Sequence, residues 1–144
     1  MVKKVAVFGM FSSQENVYEN LYKKINKICS LGYKHFVVGC ETNFDILAIK
    51  VINKLKTIFS DIILEISNNV KRSEVEELFA SAFDYRYMTE ETQTINLCEK
   101  KHVQKIMILE SDLCLFCNAY LDQKLSALIS YAMRNNKKVI NINI

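Results

Sequence analysis

The chain of 144 residues has no proline and only three glycines. No proline- or glycine-rich linker is therefore visible, nor is any internal repeat or low-complexity segment, and the length suits a single domain spanning residues 1–144. A glycine-rich P-loop is also missing. No apolar run reaches the roughly 18 residues of a membrane span. The first such run, Val5 to Phe8, stops at Gly9. It is too short for a secretory h-region, so a cytoplasmic location is expected. Histidine is almost absent: His35 opens an apolar run and His102 lies in a charged stretch, and neither has a nucleophile or metal partner in view. Charge of one sign is lacking too. The net charge is +3 with scattered lysines, which gives nucleic-acid binding little support.

Cysteine is present in odd number: Cys29, Cys40, Cys98, Cys114 and Cys117. An odd count in a cytosol-like chain argues against a disulfide framework. Cys114 and Cys117 form a CxxC inside the apolar run LCLFC, which reads as a strand. Side chains three apart on a strand point to opposite faces. The pair is thus expected to be packed core, without a disulfide or a metal site.

Strands and helices alternate along the sequence. Lys4 to Phe8 reads as a buried parallel strand ending at Gly9. Ser12 or Ser13 is a candidate cap for a helix running to about Leu31, with Val17, Leu21, Ile25 and Ile28 as its apolar stripe and Gly32 as its stop. His35 to Val38 reads as the second strand, and Phe44, Leu47, Ala48, Val51, Ile52 and Leu55 recur at helical spacing after it. Ser60 to Ile66 is the third strand. From Ser67 to Lys105 strand pattern is scarce: Ser73 and Glu76 suggest a capping box, and Glu91 to Leu109 has room for one or two helices. Asp112 to Cys117 is the fourth strand, Leu121 to Asn135 a helix, and KKVININI the fifth strand. This order predicts a three-layer, Rossmann-like α/β domain with about five mostly parallel strands, in the order 3-2-1-4-5, and helices on both faces.

In such a fold, ligands bind beyond the carboxyl ends of the strands, near helix N-termini. The turn from Gly39 to Asp45 is therefore the expected site, shared with Gly9, Met10 and Phe11 after the first strand. Asp45 reads either as an acid stabilised by the helix dipole or as an acceptor for a ligand. Asp112 reads either as a structural acceptor or as a ligand contact. Tyr85, Arg86 and Tyr87 read either as a cover for an anionic, ring-bearing ligand or as a loop closing over the core.

The stretch GCETNFDILAIKVI is similar to the GGxxGFDxLAAE motif of the YspA-like and YpsA-like proteins of the SLOG superfamily. The later segment SDLCLFCNAYLDQKLSALISYAMRNNKKVINI resembles that group's SDLLIAxYxxxxGGTxxTxxYAxxxxKxIxxI. Gly39, Phe44, Asp45, Leu47 and Ala48 keep the first motif, while Cys40 and Asn43 stand at two of its glycines. Ser111, Asp112 and Leu113 keep the second. Its Gly-Gly-Thr falls at Gln123-Lys124-Leu125, with Ser126 one position further on. After Gly9 the group's His-Arg is replaced by Met10-Phe11, and its Arg-Asn falls near Val103-Gln104.

The resemblance implies a sensor or regulatory domain that binds a nucleotide or nucleotide-derived small molecule, with no cofactor. The ligand contacts it implies are Gly9, Met10, Phe11, Gly39, Asn43, Asp45, Asp112, Lys124 and Ser126. Lys124 would meet phosphate as a flexible point charge rather than as a fixed backbone cradle. Two alternatives stay open: a hydrolase of nucleotide N-glycosidic bonds, using a carboxylate among Asp45, Glu110 and Asp112, and a ligand-free interaction scaffold. The sequence is compatible with a homo-oligomer and does not set the oligomeric state.

Overall fold

The computed structural model describes residues 3–12, 16–39, 42–66 and 100–144. Five strands form one sheet: β1 (Lys4–Gly9), β2 (His35–Val38), β3 (Ile63–Ile66), β4 (Leu113–Cys117) and β5 (Lys138–Ile142). Their order is 3-2-1-4-5 and every pairing is parallel, as the alternation of elements predicts. Among the described residues four α-helices accompany them: α1 (Val17–Ser30), α2 (Asn43–Leu55), α3 (Lys100–Leu109) and α4 (Gln123–Arg134). None of the described helices is long and apolar enough to cross a membrane.

Parallel strands covered on both faces need apolar residues at every position rather than at alternate ones. β4, LCLFC, shows this most fully, since all five of its residues are buried. Its alternate side chains feed two separate cores. Leu113, Leu115 and Cys117 join Val5, Val7 and the buried stripes of α1 and α2. Cys114 and Phe116 join Ala6, Phe8 and the inner faces of α3 and α4. Phe8 and Phe116, on neighbouring strands, stack with ring centroids 5.2 Å apart. The two cysteines of the CxxC thus lie on opposite sides of the sheet, each as a free thiol. Burial pushes the Cys114 thiol up to about 11 and the Cys117 thiol up to about 12.

Several boundaries differ from the sequence reading. The α1 stripe of Val17, Leu21, Ile25 and Ile28 is buried as expected, and Gly32 takes φ +100 just past the helix end. Ser12 does not cap α1: its hydroxyl donates to the carbonyl of Ile144 instead, and the N-cap is Asn16. β3 begins at Ile63 rather than Ser60, because the chain leaving α2 first turns through Phe59 N–H to Leu55 O at 2.8 Å and Ile62 N–H to Phe59 O at 3.2 Å. α4 begins at Gln123 rather than Leu121, because a 3-10 turn, Ala119–Leu121, fills the space after β4. The expected Ser73–Glu76 capping box lies outside the described residues.

A polar cluster sits on the α3 face, where Lys4 and His35 open β1 and β2 and Glu65 reaches them from β3. The Glu65 carboxylate lies 2.7 Å from Lys4 Nζ and 3.1 Å from His35 Nε2. Burial raises the Glu65 carboxyl, but hydrogen bonds and charge from His35 and Lys4 outweigh it and hold the group below its ordinary value. His35 is thus a structural partner at the end of the sheet opposite the expected site.

Candidate functional site

A crevice of about 810 Å³ opens beyond the carboxyl ends of β1, β2 and β4. That is the position at which strand order reverses, where open α/β sheets take their ligands. The volume lies within the usual range for small-molecule sites.

Its floor is set by close approach. The β1 terminus, Gly9, pairs with Cys117 of β4, and the ring of Phe44 packs over it. A Cβ at Gly9 would lie 2.5 Å from one Phe44 ring carbon, 2.6 Å from another and 2.9 Å from Cys117 Cβ, so only glycine admits the ring here. Phe44 itself is fully buried in the first turn of α2. Phe11 stands edge-on to it, with centroids 6.3 Å apart and planes at 71°, and is 44% exposed. It offers an aromatic surface at the rim of the crevice.

One wall is the start of α2. The Thr42 hydroxyl accepts from Asp45 N–H at 3.1 Å, and the Asp45 carboxylate accepts from Thr42 N–H at 3.3 Å. This reciprocal pair is a capping box and satisfies two of the donors a helix start leaves open. Asp45 also fills the space above Gly39, where an added Cβ would lie 3.0 Å from its Oδ2. Asn43, at the first position of the helix, lines the same wall.

The opposite wall is the turn after β4. Asn118, fully buried, adopts φ 57 and ψ 34, a left-handed conformation that asparagine tolerates better than most residues. Its side chain donates to Met10 O at 2.8 Å and accepts from Ile144 N–H at 2.8 Å. It thereby ties the turn after β1 to the turn after β4. Asp122 then caps α4, accepting from Lys124 N–H at 2.7 Å. Lys124 and Leu125 face the crevice, and Gln104 and Met107 of α3 close it from the side.

Of the expected contacts, Gly9, Met10, Phe11, Gly39, Asn43, Asp45 and Lys124 line this one crevice. Asp112 and Ser126 are not among the described lining residues. Asp112 lies at the amino end of β4, where its carboxylate accepts from Lys4 N–H at 2.9 Å and its N–H donates to Lys4 O at 2.8 Å. It serves as a structural acceptor at the far end of the sheet. Ser126 turns back to the 3-10 segment, its hydroxyl donating to Ala119 O at 3.1 Å. Glu110 is also at the far end, 3.4 Å from Lys4 Nζ. Thr42 and Asp122, which line the crevice, are not among the expected contacts, and neither is Asn118, which lies behind the lining and ties its turns together. Thr42-x-x-Asp45 is a readable capping signature, and so is an aspartate before a helical repeat at Asp122. Tyr85, Arg86, Tyr87, Cys40 and Glu41 lie outside the described residues. Among the described residues no group of three or more His, Cys, Asp or Glu could hold a metal ion.

In comparisons with known proteins, the chain matches no family model and no curated protein is significantly similar to it.

Proposed function

We propose that this crevice binds a nucleotide or nucleotide-derived small molecule, and that the protein acts as a sensor or regulatory domain. The observation that carries the reading is the placement, in one switch-point crevice, of an exposed ring at Phe11 beside Asn43, Asp45 and Lys124. A ring face stacks on a base, while an amide and a carboxylate suit sugar hydroxyls and base edges. Calorimetric titration with nucleosides, AMP, ADP and ADP-ribose tests it. Saturable one-site binding is expected, with simple mononucleotides at about 0.1 mM or looser, and Phe11→Ala weakens it several-fold while the circular dichroism spectrum stays unchanged. Absence of saturable binding by every one of these probes refutes the reading.

A further inference from the structure

Two helix N-termini, those of α2 and α4, border the crevice. Such ends carry about half a positive charge each and ordinarily favour anions. Here each is met by a carboxylate of its own cap: Asp45 lies within the Thr42 capping box, and Asp122 accepts from Lys124 N–H at 2.7 Å. The remaining charged side chain among the described lining residues is Lys124. Two carboxylates therefore offset one ammonium and two helix ends, leaving this wall close to neutral.

The backbone offers no substitute. Close approach of phosphate to main-chain N–H groups needs glycine, and the two glycines of the crevice are already covered. Phe44 occupies the space over Gly9, and the Asp45 carboxylate occupies the space over Gly39. Much of the rest of the lining is apolar, with Phe8, Met10, Met107 and Leu128 among it. Among the described residues, a phosphate entering such a site would shed water while meeting few uncommitted donors.

Resting on the nucleotide-derived reading above, we infer that the crevice takes an uncharged, ring-bearing ligand of the nucleoside or nucleobase class and discriminates against its phosphorylated forms. Asp45 and Asp122 are the residues that set this selectivity, and Phe11 supplies the stacking surface.

The test uses the full chain in equilibrium dialysis or calorimetry at low ionic strength. The probes are adenosine, guanosine, cytidine and uridine, each beside its 5′-monophosphate. For whichever base binds, the nucleoside is expected to bind at least tenfold more tightly than the monophosphate. Added salt leaves that ratio nearly unchanged, since a wall close to neutral has little net charge to screen. Asp122→Asn keeps a side-chain oxygen at the N-cap and removes one charge, so it narrows the ratio. A monophosphate that binds as tightly as its nucleoside overturns the inference and leaves the nucleotide-binding reading in place. A preference for the nucleoside that Asp122→Asn and Asp45→Asn both leave untouched overturns the assignment to these carboxylates. If none of the eight probes binds, the inference is overturned, and the nucleotide-derived reading falls with it only when ADP and ADP-ribose also fail to bind.

Discussion

Replacing Gly9 with alanine probes how the crevice floor is built. Non-bonded carbons rest about 3.5–4.0 Å apart, whereas the new methyl would stand 2.5 and 2.6 Å from two Phe44 ring carbons and 2.9 Å from Cys117 Cβ. The ring cannot swing into solvent, because Phe44 is only 1% exposed. Cys117 cannot withdraw either, being paired in register with Gly9 across the sheet. Overpacking of this kind costs about 1–3 kcal/mol. Alanine regains about 0.4–1 kcal/mol by restricting the unfolded chain. The net is a loss of about 1–2 kcal/mol, or roughly 3–8 °C in melting temperature for a domain of this size. Urea unfolding followed by circular dichroism reads it as a lower midpoint at unchanged slope. Phe44→Leu removes the ring, so the two changes couple: the double variant is more stable than the sum of the singles predicts, by about 1 kcal/mol. The Cys117 contact remains, so the relief is partial. Full stability of Gly9→Ala, or strict additivity with Phe44→Leu, refutes the packing account.

Asn118→Ala strands Met10 O and Ile144 N–H and places alanine in a left-handed conformation. With about 1–3 kcal/mol for each buried group left unpaired, we expect a loss of at least 3 kcal/mol in denaturant unfolding, and a loss under 1 kcal/mol contradicts the tie. Cys29, Cys114 and Cys117, with thiols held at about 11, 11 and 12, carry almost no thiolate at pH 8; mass spectrometry after alkylation of the native protein should leave all three unmodified, and rapid labelling of any of them refutes its burial. Glu65 has a folded-state carboxyl held below the ordinary 4.5, so its stabilisation is present above that pH and is lost as pH falls through the lower folded value. Glu65→Gln should therefore flatten the acid limb of stability against pH, and an unchanged acid limb shows that the pairing contributes nothing.

The layout was legible because parallel strands buried on both faces cannot alternate with polar residues. VAVF, FVV and LCLFC announce themselves, and the helical repeats between them dictate crossovers. The ends of the first two runs, at Gly9 and Gly39, both border the crevice. Asp112 opens the fourth strand, so its place at the amino end, away from the crevice, could be read from the sequence. Its partner could not, since Lys4 lies 108 positions away in the chain and no local pattern carries that contact. Asn118 was invisible for the same reason, since one of its partners, Met10, is also 108 positions distant. The start of α4 was misplaced because Leu121 continues the apolar repeat backward, while the backbone of Asp122 is extended, with φ −144 and ψ 123.

The scarcity of glycine bears on chemistry as well as on tracing the chain. Among the described residues, two of the three positive-φ positions are asparagine, Asn118 with φ 57 and Asn136 with φ 59, and only Gly32 is glycine. Glycine at such a turn leaves main-chain groups open to whatever approaches. Asparagine brings an amide that bonds neighbouring chain segments, and at Asn118 that amide joins the turn after β1 to the residue at Ile144. The helix starts at the crevice are treated alike, with Thr42, Asp45 and Asp122 taking N–H groups that a glycine-rich loop would leave for a ligand. Such a floor is preorganised, but much of its polar backbone is already committed. Recognition then falls to cavity shape, to the Phe11 ring and to a few polar side chains, which is the basis on which an uncharged ring is told apart from a phosphate.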